Sequence, residues 1–179
     1  MTILPLFASY VSSNILTEDT SVLDHNKHEF EGKVKHGQIS KDIRILKKYP
    51  KIENLLLKKF KEFAGDTLHL DNHDFAITTS WFTKVEKEQY SDNSARILIA
   101  NPLSNLSDFW LTPTEFVIQN SDDWHFIPTK GLLLLFPSYL RHKVDMHHED
   151  DIRYSLAFNI VPIGEYGCGD SLYNTSWFR

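Results

Sequence analysis

The segment that most constrains this chain is residues 131–160, GLLLLFPSYLRHKVDMHHEDDIRYSLAFNI. It opens with an unbroken apolar run at 132–136 and closes with an alternating run at 154–160, with a polar stretch at 146–151 between them. Two strand-forming runs around a short polar segment predict a β-hairpin. The first run is apolar on every residue, which predicts a strand buried on both faces. A turn centred on His147–His148 sets His142 across from Arg153, and directly opposed residues of an antiparallel pair share a face. Ser155 and Asn159 follow Arg153 on that face by the two-residue period of a strand. An imidazole, a guanidinium and a hydroxyl on one buried face are costly to place there without a use. The imidazole suits an iron ligand. The guanidinium suits two-point capture of a carboxylate, with the Ser155 hydroxyl beside it. The plainer alternative is a core histidine next to an arginine paired with Glu149 or Asp150 at the surface.

With 179 residues, the chain is expected to form one domain large enough for a real core. Its apolar content of 41% and its 12 Phe and 4 Trp place it among globular rather than disordered proteins. A net charge of −5 argues against a broad nucleic-acid or membrane-surface role. The one cysteine, Cys168, excludes an internal disulfide and a thiolate zinc cluster, and it suits a reducing compartment. The N-terminal stretch has no positive leader region, so it does not read as a secretory signal. No apolar run reaches the length of a membrane span. The expected location is cytoplasmic.

Taken in order, residues 1–39 read as a lead-in, with a short strand at 3–7 and a polar, surface stretch at 12–37. His25, His28 and His36 in that stretch match no common ligand spacing. Ser40 is expected to cap a short helix at 42–48, which must end before Pro50. A second helix is expected at 51–64, because Ile52, Leu55, Leu56, Phe60 and Phe63 recur at helical spacing and Gly65 follows as a stop. Its lysine face (Lys51, Lys58, Lys61) reads as solvated. The helical region thus spans 40–65 and the β core 75–161, with candidate strands at 75–82, 95–100, 116–119, 132–136 and 154–160. Turns are marked at Asn101-Pro102, Pro113, 120–123 and 129–131. Many short strands with turn signals predict a sandwich or barrel in a mainly β chain with N-terminal helices, of α+β class. Trp110 and Trp124 are expected as core or cavity wall and His125 as structural. His147 and His148 are expected in a solvated loop. The tail, 162–179, is glycine-rich and then aromatic, and is expected to dock as a terminus.

The motifs Leu135-Phe-Pro-Ser-Tyr-Leu-Arg-His142 and Arg153-Tyr-Ser-Leu-Ala-Phe-Asn159 resemble the closing motif of the 2-oxoglutarate/Fe(II)-dependent dioxygenases, of the kind found in phage and marine microbial genomes. The resemblance extends over about residues 40–178. It implies a double-stranded β-helix, or jelly roll, using Fe(II) and 2-oxoglutarate to oxidise a further substrate. It also implies that His142 is a metal ligand and that Arg153, assisted by Ser155, binds the distal carboxylate of 2-oxoglutarate.

The same resemblance calls for two more ligands, an HxD or HxH pair after the strand holding Ser80-Trp81. No histidine lies between Trp81 and Trp124, so that segment is missing and the jelly roll is expected to be incomplete near Ser91–Asp92. The candidate substitute is His69-Leu70-Asp71, whose outer residues would share a face if the segment were a strand. Three readings therefore stand: a dioxygenase, a non-catalytic jelly-roll remnant that keeps the arginine pocket, and a truncated form that has lost the iron site.

Overall fold

The two longest strands, Asp74–Val85 and Arg153–Ile163, pair with each other along their whole length. The structure, a computed structural model, describes residues 9–34, 37–86, 97–100, 121, 123–144 and 150–178. In chain order its elements are β1 (Ser12–Ile15), β2 (Phe30–Val34), β3 (Gly37–Ser40), α1 (Pro50–Leu68) and β4 (Asp74–Val85). They continue as β5 (Ile97–Ala100), β6 (Asp123–Phe126), β7 (Leu132–Leu135), β8 (His142–Val144), β9 (Arg153–Ile163), β10 (Glu165–Tyr166) and β11 (Tyr173–Asn174). The described chain is mainly β, with antiparallel sheets and one α-helix. It divides into two compact units interleaved in sequence, one of residues 1–17 and 87–150, the other of 18–86 and 151–179.

The second unit is a four-stranded sheet in the order β2-β3-β4-β9. α1 and a 3-10 turn, Ile45–Lys48, pack on one face of it. The register of β4 against β9 shifts once, between Ile77 and Thr79. A one-residue bulge reverses strand parity, so Phe75 and Ile77 before it join Ser80 and Phe82 after it on the same, helix-covered face. Phe75 meets Phe60 of α1 edge-on at 4.9 Å between ring centres, and Ile77, Ser80 and Phe82 are buried. Ile45, Leu46, Ile52, Leu56 and Ala64 complete this core.

β3 leaves β4 after Ile39, and two serine hydroxyls replace the lost ladder. Ser40 Oγ accepts from Phe82 N–H at 3.0 Å and donates to Asp42 O at 2.8 Å. Ser80 Oγ accepts from Leu46 N–H at 2.9 Å, and Ser80 N–H donates to Ile43 O at 2.8 Å. Both serines are 1% exposed. Ser40 is therefore the end of a strand and a lateral tie. It caps no helix, and the expected helix at 42–48 is only the 3-10 turn.

The helix expected at 51–64 is longer. Gly65 does not stop it. A Cβ at Gly65 would run into the carboxylate of Asp71, so the glycine serves a close approach instead. The helix ends at His69, a non-glycine residue in the left-handed region at φ 53°, with His69 N–H donating to Gly65 O and Leu70 N–H to Ala64 O. Pro50 opens it at a position where no amide donor is needed. On its outer side Lys58 reaches Glu62 and Lys61 reaches Asp74, as a solvated face would.

His25 and His28 are not surface residues scattered among charges. His25 stacks on Tyr154 at 3.6 Å, and His28 packs against Phe82 while its Nε2 meets the Tyr49 hydroxyl at 3.2 Å. Beyond β9, the tail forms the small hairpin β10–β11, tied back by Thr175 Oγ1 donating to Pro162 O at 2.6 Å.

The first unit holds a two-stranded pair, β1 with β7, and a three-stranded sheet, β6-β5-β8. β1 lies within the stretch that reads as polar surface, and it partners Leu132–Leu135. Gly131, at φ 82°, makes the turn into β7, and a Cβ there would meet Leu16 O at 3.1 Å. β8 pairs with β5, Ile99 facing His142, while β9 pairs with β4. The hairpin expected over 131–160 is thus not formed, and the register that set His142 opposite Arg153 does not hold. A strand edge has alternatives, and here longer-range partners take both runs. Trp124 is 40% exposed on β6 and His125 pairs with Asp123 at 3.4 Å. The expectations for 3–7, His36, Ser91–Asp92, Trp110, 116–119, His147 and His148 fall outside the described residues. No helix among the described residues is long and apolar enough to cross a membrane.

Two outcomes follow from this core. Ser80→Ala leaves the buried Leu46 amide without an acceptor, so stability should fall by about 1–3 kcal/mol, read as a lower urea midpoint at unchanged slope. Burial, reinforced by Lys48, holds the His28 imidazole below its ordinary value of 6.5. The unfolded chain therefore binds a proton in that range that the folded chain refuses, and stability should fall as pH drops below 6.5. His28→Gln should flatten that part of a melting-temperature profile taken from pH 5 to 8, and an unaltered slope would assign it elsewhere.

Candidate co-substrate site

The face of the four-stranded sheet away from α1 carries the second unit's functional side chains. Downstream of the bulge, β4 and β9 place the pairs Thr79–Asn159, Trp81–Ala157, Thr83–Ser155 and Val85–Arg153 in succession on that face. Asn159 Nδ2 donates to Thr79 Oγ1 at 2.8 Å, so the far end satisfies itself. Trp81 stands opposite the small Ala157. At the near end Arg153 is half-buried beside the buried Val85, and Ser155 is exposed.

The guanidinium is the anomaly. Its Nη1 is buried and has no hydrogen-bond partner among the described residues. Burial pushes the group below its ordinary value, and no carboxylate among the described residues offsets the effect. It nevertheless stays a cation at neutral pH. A buried, uncompensated cation of fixed fork geometry is suited to an anionic ligand with two oxygens. Of the plainer alternative, a salt bridge from Arg153 to Glu149 or Asp150, Glu149 lies outside the described residues.

His142 belongs to the first unit, at the start of β8. Its Nδ1 lies 2.9 Å from Leu140 O, and its ring packs edge-on to Phe136 at 4.9 Å. A carbonyl can only accept, so Nδ1 carries the hydrogen and the Nε2 lone pair is left for a Lewis acid. This is how a metal-binding imidazole is held. His69 and Asp71 are placed differently from the sequence expectation. His69 is the helix cap and Asp71 lies in the following turn against Gly65, so no strand aligns them. Among the described residues no group of three or more His, Cys, Asp or Glu could hold a metal ion. Those residues therefore fit the carboxylate of 2-oxoglutarate at Arg153. For Fe(II) they offer one oriented imidazole.

The family model described as "Putative 2OG-Fe(II) oxygenase" matches residues 64–159, more than half of the chain. The chain belongs to this 2OG-Fe(II) oxygenase family. The matched stretch runs from the end of α1 into β9 and includes His142, Arg153 and Ser155. No curated relative matches the chain. Membership of this oxygenase family implies Fe(II) and 2-oxoglutarate as cofactor and co-substrate. Thr83, Val85 and Trp81, which build the arginine's surroundings, were not legible as site residues, because their roles come from a partner strand some seventy positions away.

The unpaired guanidinium should cost stability. Arg153→Met keeps the length and apolar stem and removes the charge, so the folded state should gain about 1–2 kcal/mol. Chemical denaturation of the two proteins side by side measures it, and a loss of stability would mean that the guanidinium is satisfied in solution.

Proposed function

We propose that this chain is an Fe(II)/2-oxoglutarate-dependent dioxygenase, a hydroxylase of one domain over residues 1–179 on a double-stranded β-helix. The observation that carries the reading is the buried, partnerless Nη1 of Arg153 on a sheet face beside the Ser155 position. Family membership and the antiparallel, mainly β architecture support it. Arg153 takes the distal carboxylate of 2-oxoglutarate through its fork, and the Ser155 hydroxyl donates to the same group. The half-burial of Arg153 excludes competing water and strengthens that ion pair. His142, with Nδ1–H held on Leu140 O, presents Nε2 to Fe(II). His69 and Asp71 remain candidate second and third ligands by composition alone. Bound iron would supply the redox chemistry that couples O₂ and 2-oxoglutarate to oxidation of a substrate C–H bond. Its single cysteine suits the reducing cytoplasm.

Calorimetric titration with 2-oxoglutarate tests the pocket. Arg153→Ala should abolish binding, and unchanged binding would sink the assignment. Anaerobic addition of Fe(II) and 2-oxoglutarate should give the weak visible charge-transfer band of the chelate, lost in His142→Ala. Binding of 2-oxoglutarate with no band would reduce the chain to a binding protein without its iron site.

A further inference from the structure

Along the sheet face away from α1 the polar groups differ in whether they are committed. Thr79 and Asn159 bond each other. Thr83 and Ser155, directly paired across β4 and β9, make no hydrogen bond through their hydroxyls among the described residues. Both stand one same-face step from the Val85–Arg153 pair that holds the unpartnered Nη1. Directly opposed Cβ atoms lie about 4.5–5.5 Å apart, within reach of one carboxylate. A carboxylate offers roughly four acceptor positions, and the arginine fork fills two. Ser155 can fill a third. The geometry leaves one hydroxyl to fill the fourth, and it comes from the other strand.

We infer that Thr83 is a further binding residue of this pocket, its Oγ1 donating to the co-substrate carboxylate held by Arg153 and Ser155. The inference rests on the proposed 2-oxoglutarate role of Arg153. Thr83 is half-buried, between Ile39 of β3 on one side and Ser155 of β9 on the other. Trp81, the next residue on the face, opposes Ala157 and gives the ligand's carbon chain a flat apolar wall.

The two halves of the threonine side chain separate packing from binding. Thr83→Val keeps the β-branched shape and loses the hydroxyl. Thr83→Ser keeps the hydroxyl and loses the methyl group. Titration of the full chain with 2-oxoglutarate should show Thr83→Val binding roughly tenfold more weakly, the loss of one hydrogen bond to a charged group. Thr83→Ser should stay near the parent, and Arg153→Ala should not bind. Equal affinity of Thr83→Val and the parent, with Arg153→Ala inert, overturns the role of Thr83 and leaves the arginine pocket standing. Weakened binding in Thr83→Ser to the level of Thr83→Val overturns it too, because packing would then be the cause. Binding that survives Arg153→Ala removes the pocket itself. Urea midpoints of the three variants show that each is folded when titrated.

Discussion

The ladder between β4 and β9 is the constraint on which the second unit depends. It decides which residues look toward α1 and which look away, and a strand permits only those two choices. Arg153 lies on the face away from α1 because it pairs with Val85, and a slip of one residue would turn it into the helix-covered core. The bulge before Thr79 makes the arrangement possible. Without it the strand could not bury Phe75 and Ile77 at one end and Ser80 and Phe82 at the other while keeping Thr83 and Val85 beside β9's polar residues. The serine ties serve the same end. β3 pairs with β4 only at Gln38 and Ile39, and beyond that point the Ser40 and Ser80 hydroxyls hold the departing chain on the amides that the ladder no longer satisfies.

A stable fold would not choose the guanidinium of Arg153 as it stands. Removing a cation from water without a partner costs free energy, and a methionine or leucine would fill the same space at less cost. The cost is concentrated at one group and is not spread over the sheet, since Asn159 and Thr79 a few residues along satisfy each other. Such a local deficit marks a place completed by something outside the chain, and the shape of the deficit specifies an anion with two oxygens.

How far the sequence revealed this follows from the range of each interaction. α1 was legible because its apolar positions and Pro50 act within a few residues. The runs that became β4, β5, β7 and β9 were legible as strands by their composition, and the motif that singled out Arg153, Ser155 and His142 lies within the stretch that the family model matches. Pairing was not. Leu132–Leu135 and Arg153–Ile163 are neighbours in sequence and suggest a hairpin, yet β7 pairs with β1, β8 with β5, and β9 with β4. Local pattern fixes how a strand alternates and says nothing of which distant strand offers the better face. The role of Ser40 failed for the same reason: a serine before a helical pattern reads as a cap, while its hydroxyl in fact serves Phe82, forty-two residues on. The strand alignment expected of His69-Leu70-Asp71 is not formed, because α1 runs on to Leu68 and turns there.

The carboxylate pocket draws on β4 and β9 alone, whereas the oriented imidazole of His142 belongs to the other unit. Each rests on its own local cause, the ladder register in one case and the Leu140 carbonyl in the other. Capture of 2-oxoglutarate and capture of Fe(II) therefore need not stand or fall together. Retention of an energetically costly guanidinium, in the strand register that turns it away from α1, is what selection for carboxylate binding would maintain. That is the physical ground for resting the proposed function on the arginine and not on the metal.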